Sequence, residues 1–316
     1  MLHYPGKPQE HTPKERTMRK AHVIGIILLV LMGMIAALYY YVSRPYSSSE
    51  IRISTNPWVG FTPLIYAQEK GWLDDTPFRF LWLVDLTDNS RLYARGFTQG
   101  FTATQYEWLQ FPHKSRIKPV FLIDRSNGAD AVLSNRTVEE LRNSTGTVKV
   151  YLERGSMNED FFDAFVEEYR LTSVRFRQID ASQKNIGMME MADDPVIIIS
   201  YAPYVSELIT KGYRSVASTR TMKRFHVVDA LFVEEEIIDA HTQEFAHLKQ
   251  LFALGVEQLR KNPREYYETV RGYLEGQSYE EFMASAAEIE WVYDKSPPEV
   301  MMYLHAQQVK TDRLLP

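Results

Sequence analysis

The sequence predicts an α/β protein whose sheets are mostly parallel and covered by helices, and three observations predict this. Between residues 51 and 126, short apolar stretches typical of strands alternate with stretches of helical pattern. The alternation returns on a smaller scale between residues 137 and 218, where VIIIS at 196–200 is typical of a strand buried on both faces. From residue 241 onward the pattern predicts helices at 241–261, 263–272, 279–290 and 297–309.

The composition is that of a folded chain with a sizeable core. The 316 residues carry a formal net charge of −5 and 45% of them are hydrophobic, which allows one two-lobed unit or two ordinary domains. The absence of cysteine excludes disulfides, thiolate metal sites, a cysteine nucleophile and a lipid-modified cysteine anchor. The charge balance gives no reason to expect nucleic acid as a partner. No spacing of a metal site, a catalytic triad or a phosphate loop stands out, so we expect no catalytic residue, metal or cofactor.

The amino-terminal region predicts a membrane anchor. Residues 23–42 carry no charge over a length that lets a helix span a bilayer. Basic residues dominate the preceding 1–22 and only Arg44 closely follows, so 1–22 is expected in the cytoplasm and the domain after the linker 43–50 in the periplasm. We expect an uncleaved, single-pass signal anchor in the inner membrane because tyrosines, not small residues, follow Ala36 and Ala37. A cleaved signal peptide and a buried core helix are the alternatives.

The first predicted strand leads into a loop with aromatic residues and a glycine. Residues 51–54 alternate as a strand does, and Trp58 and Gly60 precede a helix that Thr62 can cap. Ligands of open α/β sheets bind at the carboxyl ends of strands, often at such helix starts. A flat ring at Trp58 and bare backbone at Gly60 would then form one wall of a ligand site. The alternative for Trp58 is core packing.

The segment 119–134, PVFLIDRSNGADAVLS, admits two interpretations. Asn127-Gly128 between two apolar runs is a strong signal for a β-hairpin. In the other interpretation the first run is a strand that ends at a ligand-binding edge, and the chain then leaves for a second lobe. Ser126, Asn127 and Gly128 would in that case face a cleft. The surrounding alternation of strands and helices favours the second interpretation, because hairpins join antiparallel strands.

Five segments, in their order along the chain, resemble one family of transport proteins. They are IRISTNPWVGFTPLIYAQEKGWL at 51–73, FTATQYEWLQF at 101–111, DRSNGAD at 124–130, IISYAPY at 198–204 and VVDALFV at 227–233. In these segments the chain is similar to the substrate-binding proteins of nitrate, sulfonate, taurine and thiamine-precursor ABC transporters, often called NMT1-like. The similarity extends over nearly all of residues 51–233.

The resemblance implies a type II periplasmic-binding-protein fold, in which two α/β lobes joined by two crossovers hold a ligand between them. Lobe 1 would comprise residues 51–126 and 221–316, and lobe 2 residues 127–220. Residues 119–134 would contain the first crossover and 225–233 the second. The membrane helix departs from the family, whose members are usually secreted or lipid-anchored. The lack of cysteine gives no support to the pyrimidine-forming enzymes among the eukaryotic relatives.

The candidate ligand contacts carry specific expectations and alternatives. Backbone N–H groups at Gly155 and Ser156, before a predicted helix, could hold an anionic or polar group, with an ordinary N-cap as the alternative. Glu107 could receive an amine or be an exposed helix carboxylate. Asp229, inside an apolar strand, calls for a ligand, a hinge role or a buried salt bridge. Tyrosines of the second lobe could close the other wall or pack in its core. The full set is Trp58, Gly60, Thr104, Glu107, Ser126, Asn127, Gly155, Ser156, Tyr201, Tyr204 and Asp229.

The expected function is that of a membrane-anchored solute-binding protein that closes on a small organic molecule, with an ABC permease as its partner in uptake. The alternative is a ligand-sensing periplasmic module that signals to a membrane kinase, cyclase or receptor, and an enzyme is a third possibility. The carboxylates of Glu107, Asp130 and Asp229 near the expected cleft hint at an amine or a ring nitrogen in the ligand.

Overall fold

The computed structural model describes residues 32–34, 50–83, 86–112 and 114–316. It divides the chain into two units, 1–50 and 51–316, and the second unit contains every element discussed below. The predicted anchor at 23–42, with its tail and linker, lies outside the described residues apart from 32–34 and 50. Within the described ranges, no helix has both the length and the apolar character needed to cross a membrane.

Residues 51–316 form the alternating series of strands and helices that the sequence predicts. The strands are β1 (Ile51–Thr55), β2 (Phe78–Trp82), β3 (Gly100–Thr104), β4 (Ile117–Ser126), β5 (Asp130–Ser134), β6 (Thr147–Leu152), β7 (Arg175–Asp180), β8 (Val196–Tyr201), β9 (Arg214–Ser218), β10 (Val228–Glu234) and β11 (Ile289–Trp291). The helices are α1 (Thr62–Glu69), α2 (Leu86–Ala94), α3 (Gln105–Gln110), α4 (Val138–Arg142), α5 (Met157–Glu168), α6 (Gln183–Gly187), α7 (Tyr204–Thr210), α8 (Glu235–Ala240), α9 (Thr242–Lys261), α10 (Pro263–Val270), α11 (Tyr279–Ala286) and α12 (Pro298–Ala306).

The strands form two sheets, and each sheet with its helices is one lobe. The sheet of lobe 1 has the order β11-β4-β10-β3-β1-β2, and that of lobe 2 has the order β7-β6-β8-β5-β9. Parallel pairs occur between β1 and its neighbours β2 and β3, and between β6 and its neighbours β7 and β8. In contrast, β4, β5 and β10 run antiparallel to their partners. The prediction of mostly parallel sheets is therefore wrong, because strands that pass between lobes need not follow the direction of the strand–helix–strand units.

The segment between β4 and β5 is a crossover and not a hairpin. β4 pairs with β10 and β11 in lobe 1, whereas β5 pairs with β8 and β9 in lobe 2. The return connection, from β9 to β10, passes beside it. There Thr219 Oγ1 lies 2.7 Å from Ser126 Oγ and accepts a hydrogen bond from Gly128 N–H at 2.9 Å. The two connections between the lobes are thus bonded to each other.

The carboxyl-terminal region contains a short strand that the sequence pattern does not predict. The helix expected at 279–290 ends at Ala286, and β11 pairs with β4 opposite residues 124–126. Pairing at the edge of the sheet gives the backbone N–H and C=O groups of β11 the partners that a longer helix would have supplied internally. A local apolar pattern cannot report this, since the partner strand is far away in the sequence.

In each lobe, helices bury apolar side chains against the sheet. In lobe 1, α9 buries Phe245, Leu248 and Phe252 against the sheet. In lobe 2, α5 buries Phe161 and Phe165 at helical spacing. The residues at or just after the carboxyl ends of β1, β3 and β8 meet between the lobes.

Candidate functional site

A cavity lies between the lobes where β1, β3 and β8 end. Predicted contacts from both lobes line it, namely Trp58, Thr104, Ser156, Tyr201 and Asp229. The other described residues that line it are Asn56, Phe61, Asp130, Met157, Asn158 and Val227. Ligands of open α/β sheets bind at this kind of edge, so the cavity is the candidate site.

Aromatic rings form the two sides of the cavity. Trp58 of lobe 1 and Tyr201 of lobe 2 meet edge to face, with ring centroids 6.1 Å apart and ring planes at 89°. Tyr204 lies next to Tyr201 at the mouth, and its hydroxyl donates a hydrogen bond of 3.3 Å to Glu275 of lobe 1. The cavity has a volume of about 30 Å³, which is room for water but not for an organic ring. An organic molecule with a ring therefore requires the two walls to move apart.

Several buried polar atoms around the cavity have no hydrogen-bond partner within the described residues. Asp130 Oδ2 and both polar side-chain atoms of Asn158 are in this state, although Asp130 is only 4% exposed and Asn158 is 0% exposed. An unpaired buried polar group costs roughly 1–3 kcal/mol, so folded proteins keep few of them. Here they converge on one cavity, where a bound molecule would satisfy them.

Buried carboxyl groups surround the cavity. Asp130 and Asp229 line it, and Asp124 lies behind the loop that carries Trp58. Burial raises the pKa of Asp124 to about 8 and that of Asp130 to about 7. Burial, reinforced by the neighbouring Asp124, raises the pKa of Asp229 well above its usual range. Asp124 and Asp229 therefore do not both carry a charge at neutral pH, since adjacent carboxylates away from water repel each other strongly.

Gly60 makes room for the Asp124 carboxyl group. A Cβ atom at residue 60 would lie 1.8 Å from Asp124 Oδ2 and 2.9 Å from Trp58 Nε1. Gly60 itself is not among the lining residues. The structure therefore does not place the Gly60 backbone in the wall of the cavity, as the sequence analysis expected, and the effect of Gly60 on the site is indirect. The missing side chain lets a buried carboxyl group pack beneath the Trp58 loop.

Glu107 joins the two lobes instead of facing the cavity. Its carboxylate accepts a hydrogen bond of 3.0 Å from Thr104 N–H, and this bond is part of the cap of α3. The carboxylate also accepts a hydrogen bond of 2.8 Å from Met157 N–H at the start of α5 in lobe 2. Glu107 is 4% exposed, so the alternative of an exposed helix carboxylate is wrong. Burial raises the pKa of Glu107, while the hydrogen bonds from Thr104 and Met157 oppose that change.

The start of α5 differs from the anion site that its sequence suggests. Gly155 N–H donates to Glu159 Oε2 at 3.0 Å, and Ser156 Oγ accepts a hydrogen bond from Asn158 N–H at 3.2 Å. The expectation of a free N–H group at Gly155 is wrong, because a glutamate of the same helix occupies it. Ser156 is the N-cap of α5, as the alternative interpretation of this segment expected, and it also lines the cavity.

Ser126 and Asn127 belong to the hinge and not to the cavity. The Ser126 hydroxyl is used in the contact with Thr219. Asn127 N–H donates to the Glu288 carbonyl at 2.7 Å, and the Asn127 carbonyl accepts from Arg220 Nε at 2.9 Å. Neither residue lines the cavity. Both were predicted as ligand contacts, and both instead fix the first crossover.

Sequence reasoning did not select several lining residues. Asn56 directly follows β1, so the strand-end rule that selected Trp58 would also have selected it. Asp130 was named as a carboxylate near the expected cleft but was not included among the ligand contacts. Asn158 gives no such signal, because its place in the cavity depends on how α5 of lobe 2 packs beside α3 of lobe 1.

We expect Glu107→Ala to lower the free energy of unfolding by about 2–4 kcal/mol, because buried N–H groups of Thr104 and Met157 lose their acceptor. Glu140→Ala is the matched control, since it removes the same kind of capping carboxylate from an exposed helix start at Thr137. The control should cost about 1 kcal/mol or less. Urea denaturation measures both losses. Equal losses would show that the bond between the lobes contributes nothing.

Comparison with known proteins gives a clear result for the fold. No protein family and no curated protein matches the sequence. Among solved structures, the ligand-binding component of an ABC-type import system from Staphylococcus aureus, with zinc bound, has a TM-score of 0.63 at 11% identity, over 85% of this chain and 97% of that one. The alkanesulfonate-binding protein SsuA from Xanthomonas axonopodis pv. citri, bound to MOPS, has a TM-score of 0.62 at 12% identity, over 84% of this chain and 91% of that one.

The description of a third solved structure names the fold. A Candida albicans protein described as having the generic periplasmic-binding-protein fold has a TM-score of 0.60 at 12% identity, over 83% of this chain and 90% of that one. The chain is thus an α/β protein with two sheets and the periplasmic-binding-protein fold. The resemblance seen in the sequence segments is confirmed at the level of this fold, and identities this low carry no information on the ligand.

Proposed function

We propose that the chain is a solute-binding protein that captures a small organic molecule between its lobes and delivers it to an ABC permease. The observation that carries the proposal is a cavity between the lobes in which buried polar atoms of Asp130 and Asn158 have no partner within the described residues, with Trp58 and Tyr201 on opposite sides. The fold supports the proposal. So do the descriptions of two structural neighbours, one as part of an ABC-type import system and one as an alkanesulfonate-binding protein.

Capture would proceed by opening and closing of the lobes about the paired crossovers. The lobes meet through polar contacts, namely Glu107 with Met157 N–H, Gln110 with Asp160 at 2.9 Å and Tyr204 with Glu275, and through aromatic contacts, namely Trp58 with Tyr201 and Phe161 with Phe225. A ligand that satisfies the cavity only in the closed form shifts the population toward that form.

The proposal includes a membrane anchor at residues 23–42 with the binding unit in the periplasm. The uncharged stretch and the basic residues before it support this topology. An anchor would keep the binding unit close to its permease. Recovery of the chain in the soluble fraction after alkaline extraction of membranes would contradict it.

The small-molecule fraction of an extract from cells that contain the protein should raise its Tm by several degrees. A ligand at a hundred times its Kd adds about 2.7 kcal/mol to the free energy of unfolding, and native mass spectrometry then gives the ligand mass. Asn158→Ala should abolish the increase, whereas Asn185→Ala, at an exposed residue of the same lobe, should retain it. No increase with the extract and with broad compound panels would overturn the proposal.

A further inference from the structure

We infer that the cavity takes an organic cation whose charged group carries N–H donors, such as an ammonium or an amidinium, and that Asp130 and Asp229 hold this group from opposite lobes. The inference rests on the proposed function and names the class of solute. Four observations lead to it: the charge of the cavity, its unpartnered acceptor, its occupied N–H groups and its aromatic sides.

The charge of the cavity is negative on both sides. Asp229 belongs to β10 of lobe 1 and Asp130 to β5 of lobe 2, and both line the cavity while being 3% and 4% exposed. No lysine, arginine or histidine occurs among the described residues that line it. Buried carboxylates without a cationic partner are costly. A cationic ligand placed between them would supply the missing partner.

An unpartnered acceptor distinguishes this arrangement from an ordinary acidic cluster. Asp130 Oδ2 is buried in the cavity wall and accepts no hydrogen bond from the described residues. Beside it, Asn158 presents an amide oxygen and an amide nitrogen that are likewise unpartnered there. N–H donors on the ligand would satisfy these oxygens, whereas a quaternary ammonium would leave them unsatisfied. The charged group therefore needs its own N–H bonds.

The N–H groups that an anionic ligand would use are already occupied. A helix amino terminus attracts anions through its first N–H groups. At α5, Met157 N–H donates to Glu107, Gly155 N–H to Glu159 and Asn158 N–H to Ser156. A carboxylate of the protein itself thus takes the place of an anionic ligand. The cavity differs in this respect from what a sulfonate requires, although an alkanesulfonate-binding protein shares the fold.

The sides of the cavity suit the organic part of such a ligand. Trp58, Phe61 and Tyr201 contribute aromatic surface, and Met157 and Val227 contribute aliphatic surface. Aromatic faces attract cations as well as apolar groups. The combination of the carboxyl groups of Asp130 and Asp229 with aromatic sides therefore favours a cation with an apolar body over an inorganic ion.

Protons should leave the site when the cation binds. The carboxyl groups whose charges act on one another are Asp124 on β4, Asp130 on β5, Asp229 on β10 and Glu107 on α3, with Glu288 before β11 acting on Asp130. Because burial raises the pKa of Asp130 to about 7, part of this group is protonated at neutral pH. A cation favours the charged form, so its affinity should rise with pH. An anion held by protonated carboxyl groups would show the opposite dependence.

Isothermal titration of the full-length chain with matched compounds tests the inference. Benzylamine and benzamidine supply the cation, phenylmethanesulfonate the anion and benzyl alcohol a neutral group on the same ring. We expect the two cations to bind at least about ten times more tightly than the other two compounds. Titration in two buffers of different ionisation enthalpy should show proton release with the cations.

Isosteric variants connect the result to named residues. Asp130→Asn and Asp229→Asn should each weaken cation binding by about ten-fold or more, while Asp193→Asn, at an exposed position of lobe 2, should not. Circular dichroism establishes that each variant is folded. If one of the two variants does not fold, the other still tests the inference. Preference for the sulfonate or the alcohol, or an unchanged affinity in both folded variants, would overturn the inference and leave solute binding intact. No binding of the four compounds would overturn the inference, and the extract experiment above then decides separately on the proposed function.

Discussion

Raising the pH from 5 to 9 should lower the free energy of unfolding of the protein without added ligand, with the buried carboxyl groups as the main cause. Asp130 shows the sign of the effect. Its pKa is 3.8 without the fold and about 7 within it, so between these values the folded chain holds a proton that the unfolded chain has released. The stabilisation is complete below about pH 4 and is lost as the pH rises through 7. At about 1.4 kcal/mol per pKa unit, Asp130 alone accounts for a loss of up to about 3 kcal/mol between pH 5 and pH 9.

The groups around Asp130 act in the same direction. Burial also raises the pKa values of Asp124, Asp229 and Glu107, and it raises that of Glu288, which Arg220 partly counteracts. The neighbours that shift the Asp130 pKa by their charge, Glu107 and Glu288, are both acidic. The loss with rising pH should therefore exceed the contribution of any single carboxyl group.

Asp130→Asn should flatten this dependence, because an amide does not titrate. We expect the variant to gain about 2–4 kcal/mol relative to the natural chain between pH 5 and pH 9. Urea denaturation at a series of pH values measures the difference, with Asp193→Asn as the exposed control. A constant difference between Asp130→Asn and the natural chain at every pH would show that Asp130 is not a perturbed buried acid.

Gly60→Ala should lower the free energy of unfolding by about 2–4 kcal/mol, because its Cβ overlaps a buried carboxyl group and forces that group to shift within a packed interior. The new atom would lie 1.8 Å from Asp124 Oδ2. Gly146→Ala is the matched control, since a Cβ there meets nothing within 4 Å and its backbone is not left-handed. The control should change the stability by about 0.5 kcal/mol or less.

The double variant Gly60→Ala with Asp124→Ala identifies the atoms that collide. Removing the carboxyl group should recover most of the cost of Gly60→Ala, giving a coupling energy of at least about 1 kcal/mol. Thermal or urea unfolding of the two single variants and the double variant completes the cycle. If Gly60→Ala were as stable as the natural chain yet failed to bind solute, residue 60 would instead face the ligand, as the sequence suggests.

The fold could be predicted from the sequence because its signals are local and repeated. The alternation of strand and helix patterns, the capping residues and the order of the family-like segments each depend on a few neighbouring residues. Antiparallel pairing of β4, β5 and β10 and the short strand β11 depend on partners more than 50 residues away. Those features were missed for that reason.

The candidate site could be predicted only in part, for the same physical reason. Trp58, Thr104 and Tyr201 end strands or follow them, and strand ends meet at one edge of a sheet. Ser126 and Gly155 have equally suitable local patterns, but distant residues use their groups or neighbouring side chains occupy them. Asn158 becomes a lining residue through the docking of one lobe on the other. Docking between lobes leaves no periodic trace in a sequence.

The distance between the lobes in solution tests the central claim most directly. The chain has no cysteine, so spin labels can be placed only at introduced sites, Ser206→Cys in lobe 2 and Glu280→Cys in lobe 1, both exposed. Pulsed electron spin resonance should give a broad or longer distance distribution without solute. It should become narrow and shorter on addition of a compound that raises the Tm. A distribution that such a compound leaves unchanged would contradict capture by closure of the two lobes.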